Sequence, residues 1–143
     1  MRVRPEQADV RYNLGRAFFA DHQTRDAVRE WRLAVAQRPD SLVFTLDLAA
    51  VLATDESVMS PAEAVRLAES ANKSARGENP AALDVLAMAY AADGRPELAA
   101  RTAQRALQRA LADRNDPLAA EIRARLAGYE AAAGGRAGDA GNP

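Results

Sequence analysis

The residues with reactive chemistry are few and scattered. His22 is the only histidine and cysteine is absent. Disulfides and thiolate-bound metals are therefore excluded, and one imidazole cannot assemble a three- or four-ligand zinc site. His22 falls between two helical patterns, where a solvated turn residue is the simplest reading. Asp26 and Glu30 stand four apart, a spacing that places two carboxylates on one helix face, as acid–base pairs require. Arg25 and Arg29 interleave with them, which reads instead as a solvated, charge-laced face. Glu97–Arg101 and Glu121–Arg125 are ordinary i, i+4 helix pairs, worth about 0.3 kcal/mol each. Gly134, Gly135 and Gly138 lie near the end of the chain and not between a strand and a helix, so they build no phosphate loop. No serine, histidine and acid are arranged to signal nucleophilic catalysis. We expect no enzyme activity, no metal and no cofactor.

Composition narrows the class further. At 143 residues the chain has the length of one domain. Its net charge of −1 offers no basic excess to neutralise phosphates, which argues against nucleic acid as the main partner. Hydrophobic residues make up 48% of the chain but aromatics only 5%, so alanine supplies much of the apolar surface. Such a core has many close helix contacts and few large side chains. No apolar run approaches the ~20 residues that span a bilayer. The opening MRVRPEQADV carries no apolar signal segment. We expect a cytoplasmic protein with no membrane insertion.

The elements that must position these residues are helices, and the stretch Leu14–Pro39 sets their pattern. Leu14, Ala17 and Phe18 share one helix face, and Ala27, Trp31 and Ala34 share another. Trp31 at that spacing reads as core, not as a cofactor platform. Gly15 and Ala27 are small where two antiparallel helices approach. Thr24 is a candidate N-cap for the second helix, and Pro39 stops it. The order Leu-Gly-x-x-aromatic, then Ala, aromatic, Ala and Pro resembles the tetratricopeptide repeat (TPR), a helix–turn–helix unit of about 34 residues. The resemblance implies an all-α, right-handed solenoid of stacked helix pairs.

The rest of the chain keeps that register. Repeat one covers 8–41, with helices expected over Ala8–Asp21 and Thr24–Gln37. Pro5 precedes Pro39 by one repeat length, so 1–7 reads as the last turn of a partial preceding repeat, or as a tail. Repeat two covers 42–78: Leu48, Ala49 and Leu52 take the places of Leu14, Gly15 and Phe18. Its inter-helix turn is longer. Ser60, Pro61 and Glu63 then give the signature of a capping box, and Ala64, Ala68 and Ala71 follow. Repeat three covers 79–113, opened by Asn79-Pro80, with Leu86, Ala87 and Tyr90, a turn at Gly94, and Ala99, Ala103 and Ala106. A last helix over 116–133 puts Leu118, Ile122, Leu126 and Tyr129 on one stripe, as a solvating end cap requires. The Gly-rich 134–143 reads as a disordered tail.

The second half also resembles a segment near the C-termini of large bacterial TPR proteins, an L-A-x-x-L-A-T helix followed by A-x-x-L-A-x-x-A. Here these are Leu48–Thr54 and Ala64–Ala71. The resemblance departs from the TPR pattern at Leu52, Ala68 and Ala103, where the family carries larger groups. It implies a protein-binding module whose first helices line a concave groove. In this chain the lining residues would be Asp9, Tyr12, Asn13, Arg16 and Phe19, then Val43, Leu46, Asp47 and Ala50, then Asp84, Val85, Met88 and Ala91. Three carboxylates, Asp9, Asp47 and Asp84, face the single Arg16, so a ligand carrying positive charge is expected. The family's clamp for chaperone C-terminal carboxylates uses Lys, Arg and Asn. The matching positions here are Tyr12, Arg16, Asp47, Ala81 and Val85, of which one is basic, so that role is not expected. The alternatives are a self-assembling scaffold, homodimeric through repeat one, and an accessory domain of a larger transferase-type enzyme.

Overall fold

The computed structural model describes residues 5–140, which form seven α-helices and, among the described residues, no strand. They are α1 (Pro5–Ala20), α2 (Thr24–Gln37), α3 (Leu42–Thr54), α4 (Pro61–Ser74), α5 (Pro80–Ala92), α6 (Pro96–Ala112) and α7 (Asp116–Ala140). Helices α1/α2, α3/α4 and α5/α6 pair as antiparallel hairpins, and α7 packs on α6. The hairpins stack in a right-handed solenoid, first helices beside first helices and second helices behind.

Helix starts follow local chemistry in half the cases. The first helices of repeats two and three are capped by side chains: Ser41 Oγ accepts from Phe44 N at 3.3 Å, and Asn79 Oδ1 accepts from Ala82 N at 3.1 Å. Asn115 Oδ1 does the same for Leu118 N at the start of α7. The second helices lack such caps. Thr24 is the first residue of α2, with Gln23 at the N-cap, so it does not cap. Ser60 is an N-cap without a side-chain hydrogen bond. The expected capping box does not form: the Ser60 N–H donates to Leu52 O at 2.9 Å, and Glu63 turns to Arg32 of α2, bridging it at 2.7 and 3.1 Å.

Both ends of the chain depart from expectation. Pro5 begins α1, with Glu6 in its first turn, rather than closing an earlier helix. Proline suits a first turn because its missing N–H has no intrahelical partner there. Residues 5–7 thus lie in α1, and 1–4 lie outside the described residues. At the other end α7 runs through Gly134 and Gly135 to Ala140. Once a helix is formed, each further residue adds a hydrogen bond, and the run Ala131–Ala133 carries it into the glycines. Residues 141–143 lie outside the described residues.

The core changes composition along the stack. Near its start Tyr12 stacks on Phe44 with ring centroids 4.4 Å apart, and Phe19 tilts against Trp31 at 5.7 Å. Gly15 lies directly beneath the Trp31 indole: a Cβ there would fall 2.4 Å from Nε1. Farther on, alanine takes over, with Ala87, Ala103, Ala106, Ala110 and Ala119 buried around Leu83 and Ile122. Leu52, Ala68 and Ala103, the departures from the repeat pattern, are all buried. Of the expected face of α1, Phe18 is half-buried, and Leu14 and Ala17 are exposed. They face outward with Val10 at the end of the stack, Leu14 at 42% exposure and Val10 at 65%.

Candidate functional site

Four of the expected groove residues meet in one concavity between α1 and α3, about 390 Å³ in volume. Arg16, Phe19, Asp47 and Ala50 line it together with Ala20, Trp31 and Val51. Phe19 is 44% exposed. Asp47 is half-buried and accepts from the Tyr12 hydroxyl. Burial and that hydrogen bond push the Tyr12 hydroxyl up to about 12. Arg16 forms no ion pair among the described residues. The site thus offers an exposed ring, a cation and a carboxylate around an apolar depression.

Trp31 sits in the core as its helical spacing predicts, yet its indole also lines the concavity. It is 3% exposed, and its Nε1 donates to the Tyr12 carbonyl at 3.1 Å. The signal was Gly15, whose missing side chain lets the indole lie across α1.

Other expected groove residues are committed elsewhere. Asp9 pairs with Arg38 at 3.1 Å. Asn13 and Val43 are exposed, Met88 and Ala91 half-buried, Leu46 and Val85 buried. Asp84 is 4% exposed and takes both nitrogens of an Arg125 fork, at 3.0 and 2.5 Å. Burial raises its carboxyl above the usual range, against the lowering effect of Arg125. The expected trio of groove carboxylates therefore reduces to Asp47.

Tyr12, Leu46 and Asp84 hold one register position in successive repeats. Each binds its first helix to the next. Tyr12 reaches Phe44 and Asp47 of α3, and Leu46 joins the cluster that holds Ala82 and Val85 of α5. Asp84 reaches Arg125 of α7. The position is a seam, and its chemistry changes from hydrogen bond to apolar contact to ion pair.

Asp26 and Glu30 are no acid pair. Asp26 meets Arg29 at 3.3 Å. Glu30 is not solvated as expected, since Arg11 of α1 covers it at 3.2 Å and leaves the residue 8% exposed. His22 is exposed in the α1–α2 turn at φ 61°. Among the described residues no three His, Cys, Asp or Glu side chains gather as a metal site would require. None of the described helices is long and apolar enough to cross a membrane.

No protein-family model and no curated protein sequence matches the chain. Among solved structures, the chain is similar to the N-terminal domain of stress-induced protein-1 (STI-1) from C. elegans. The likeness covers 86% of this chain and 97% of that one, with a TM-score of 0.63 at 19% identity. At that identity the likeness is one of fold. The shared fold is a TPR-type stack of helix pairs.

Proposed function

We propose that the protein is a non-catalytic interaction module that seats an extended segment of a partner protein in the groove of its first helices. The α1–α3 concavity carries this reading: it holds an exposed Phe19, a cation at Arg16 and a carboxylate at Asp47. Aromatic and arginine side chains supply most binding energy at interfaces. With one charge of each sign at the lip, the fitting segment has an apolar anchor flanked by polar residues, not a uniformly cationic sequence. Peptides selected from a random library on the full chain test this. Phe19→Ala should weaken the selected peptides at least tenfold, as loss of an interface anchor does. If neither Phe19→Ala nor Arg16→Glu changes the dissociation constant, the groove is not the site.

A second reading, self-association, is favoured by the end face of α1. There Glu6, Gln7, Val10, Arg11, Leu14 and Glu30 surround a concavity of about 490 Å³. Arg11 and Glu30 neutralise each other, so a second copy meets no net charge from that pair. A two-fold axis would set Val10 of one copy against Leu14 of the other and bury the same patch twice. Light scattering across a concentration series should show a dimer that Leu14→Asp dissociates. A strict monomer at high micromolar concentration, unaltered by Leu14→Asp, removes this reading.

A further inference from the structure

The α1–α3 concavity has a polar end and an apolar end. Helices α1 and α3 are both first helices and run the same way. Arg16 stands one turn before Phe19 and Ala20 on α1, and Asp47 one turn before Ala50 and Val51 on α3. The two charged residues therefore share one end. The ring, the methyl groups and the Trp31 indole line the other, about 5.4 Å farther along.

The two charges differ from their neighbours and from each other. Of the three groove carboxylates, Asp9 pairs with Arg38 and Asp84 with Arg125. Asp47 makes no ion pair among the described residues and accepts only from the neutral Tyr12 hydroxyl. That bond takes Oδ2 and leaves Oδ1 without a donor from the described residues. Asp47 is short, half-buried and fixed by Tyr12, whereas Arg16 is exposed at the tip of a long stem and is able to turn to water. The fixed charge of the site is thus negative. A fixed carboxylate one turn from an apolar depression fits a cation attached close to an apolar side chain. Lysine and arginine carry their charge at the far tip of the side chain. An internal residue brings only a neutral N–H to the carboxylate, and a C-terminal residue brings a carboxylate that Asp47 repels. The first residue of a chain carries an ammonium, a side chain and a carbonyl on adjoining atoms.

We propose that the concavity receives the amino-terminal residue of a partner protein. Its α-ammonium donates to Asp47 Oδ1, a large apolar side chain lies against Phe19, Trp31 and Val51, and its carbonyl is the acceptor for Arg16. This rests on the groove reading above and names the part of the partner that enters. Capture of a chain's amine is a recurring mode of peptide recognition, and a carboxylate already held in place spares the cost of ordering it on binding. Tyr12 is the positioning residue.

The test uses the full chain and short synthetic peptides randomised at their first positions, each made with a free and an Nα-acetylated terminus. Free-amine peptides that begin with leucine, methionine or phenylalanine should bind best, and acetylation should weaken them about tenfold or more, as loss of a charge-assisted hydrogen bond does. This comparison needs no variant. Asp47→Asn should erase the difference. Asparagine keeps an oxygen for the Tyr12 hydroxyl, so the step between α1 and α3 stays closed. Tyr12→Phe keeps the ring on Phe44 but releases the carboxylate, so it should shrink the difference and leave the preference for an apolar first residue. Free and acetylated peptides that bind alike, with Phe19→Ala weakening both, overturn the terminal reading and leave the groove standing. So does an affinity that falls on C-terminal amidation instead, or an acetylated peptide restored by an internal lysine or arginine. A difference that survives Asp47→Asn overturns the role of Asp47. Binding of neither form, or binding indifferent to Phe19→Ala and Arg16→Glu, overturns the groove itself.

Discussion

Repeats one and three make the same antiparallel hairpin from opposite materials. Repeat one uses rings: Trp31 lies across Gly15, Phe19 tilts on Trp31, and Tyr12 stacks on Phe44 of the next repeat. Repeat three uses small groups: Ala87, Ala103, Ala106 and Ala110 are buried against each other, with Leu83 as the largest side chain among them. In the first hairpin a few large contacts set the spacing, and one residue without a side chain makes room. In the second the spacing is short everywhere, and many methyl contacts share the work. The lesson is that the repeat specifies where helices meet, while the size of the meeting groups can be traded between them. The same difference explains why the groove opens where it does: only rings leave an aromatic face for a ligand.

That contrast makes firm predictions. The largest effect belongs to Trp31→Ala, which should cost about 3–5 kcal/mol in denaturant unfolding, as for buried aromatics. No single alanine of repeat three can be truncated to a comparable loss, and a cost under 1 kcal/mol for Trp31→Ala would erase the distinction. Next come the insertions. Gly15→Ala drives a methyl into the indole, and Ala106→Leu overfills the alanine layer, so each should cost about 1–3 kcal/mol. If Gly15→Ala is neutral, the ring does not set the spacing of repeat one.

Alkaline titration separates the two ends of the stack. Burial pushes both the Tyr12 and the Tyr129 hydroxyls up to about 12. The unfolded chain ionises tyrosine near pH 10. Their contribution to stability is therefore complete below pH 10 and is lost as pH rises toward about 12. Tyr12→Phe should flatten that decline in part, and a decline unchanged in the variant would assign it elsewhere. The smallest effects concern caps. Asn79→Ala should cost about 1 kcal/mol, whereas Ser60→Ala, which removes no side-chain hydrogen bond, should leave the midpoint almost unmoved.

The helices were legible because proline, asparagine and glycine mark their ends and alanine marks their contacts. The range Thr24–Gln37 agrees with the structure residue for residue. What local pattern misses is choice of partner. Glu63 had the spacing of a capping box, but the Ser60 N–H goes to Leu52 O and Arg32 from another helix offers Glu63 two charge-assisted bonds. Asp84 had the register of a groove residue, but Arg125 came from 41 residues away. Leu14 carried the repeat's leucine, yet its side of α1 faces outward, because Gly15 and not Leu14 takes the indole. In the groove, Arg16, Phe19, Asp47 and Ala50 came together as their register required, since first helices stand side by side. Trp31 joined them only through the gap at Gly15, which spacing alone does not reveal.

The nearest-neighbour stacking has a kinetic consequence. Every hairpin closes over a short loop, and among the described residues the side-chain hydrogen bonds reach no farther along the chain than that between Asp84 and Arg125, 41 residues apart. Chains rich in local contacts pay little loop-closure entropy before contacts form, and fold in microseconds to milliseconds. Any hairpin can start, and growth spreads to its neighbours in either direction. The rings of repeat one, which bind α1, α2 and α3 to each other, make that end the stronger nucleus. Folding should then run from the aromatic end toward α7, and opening should run the other way.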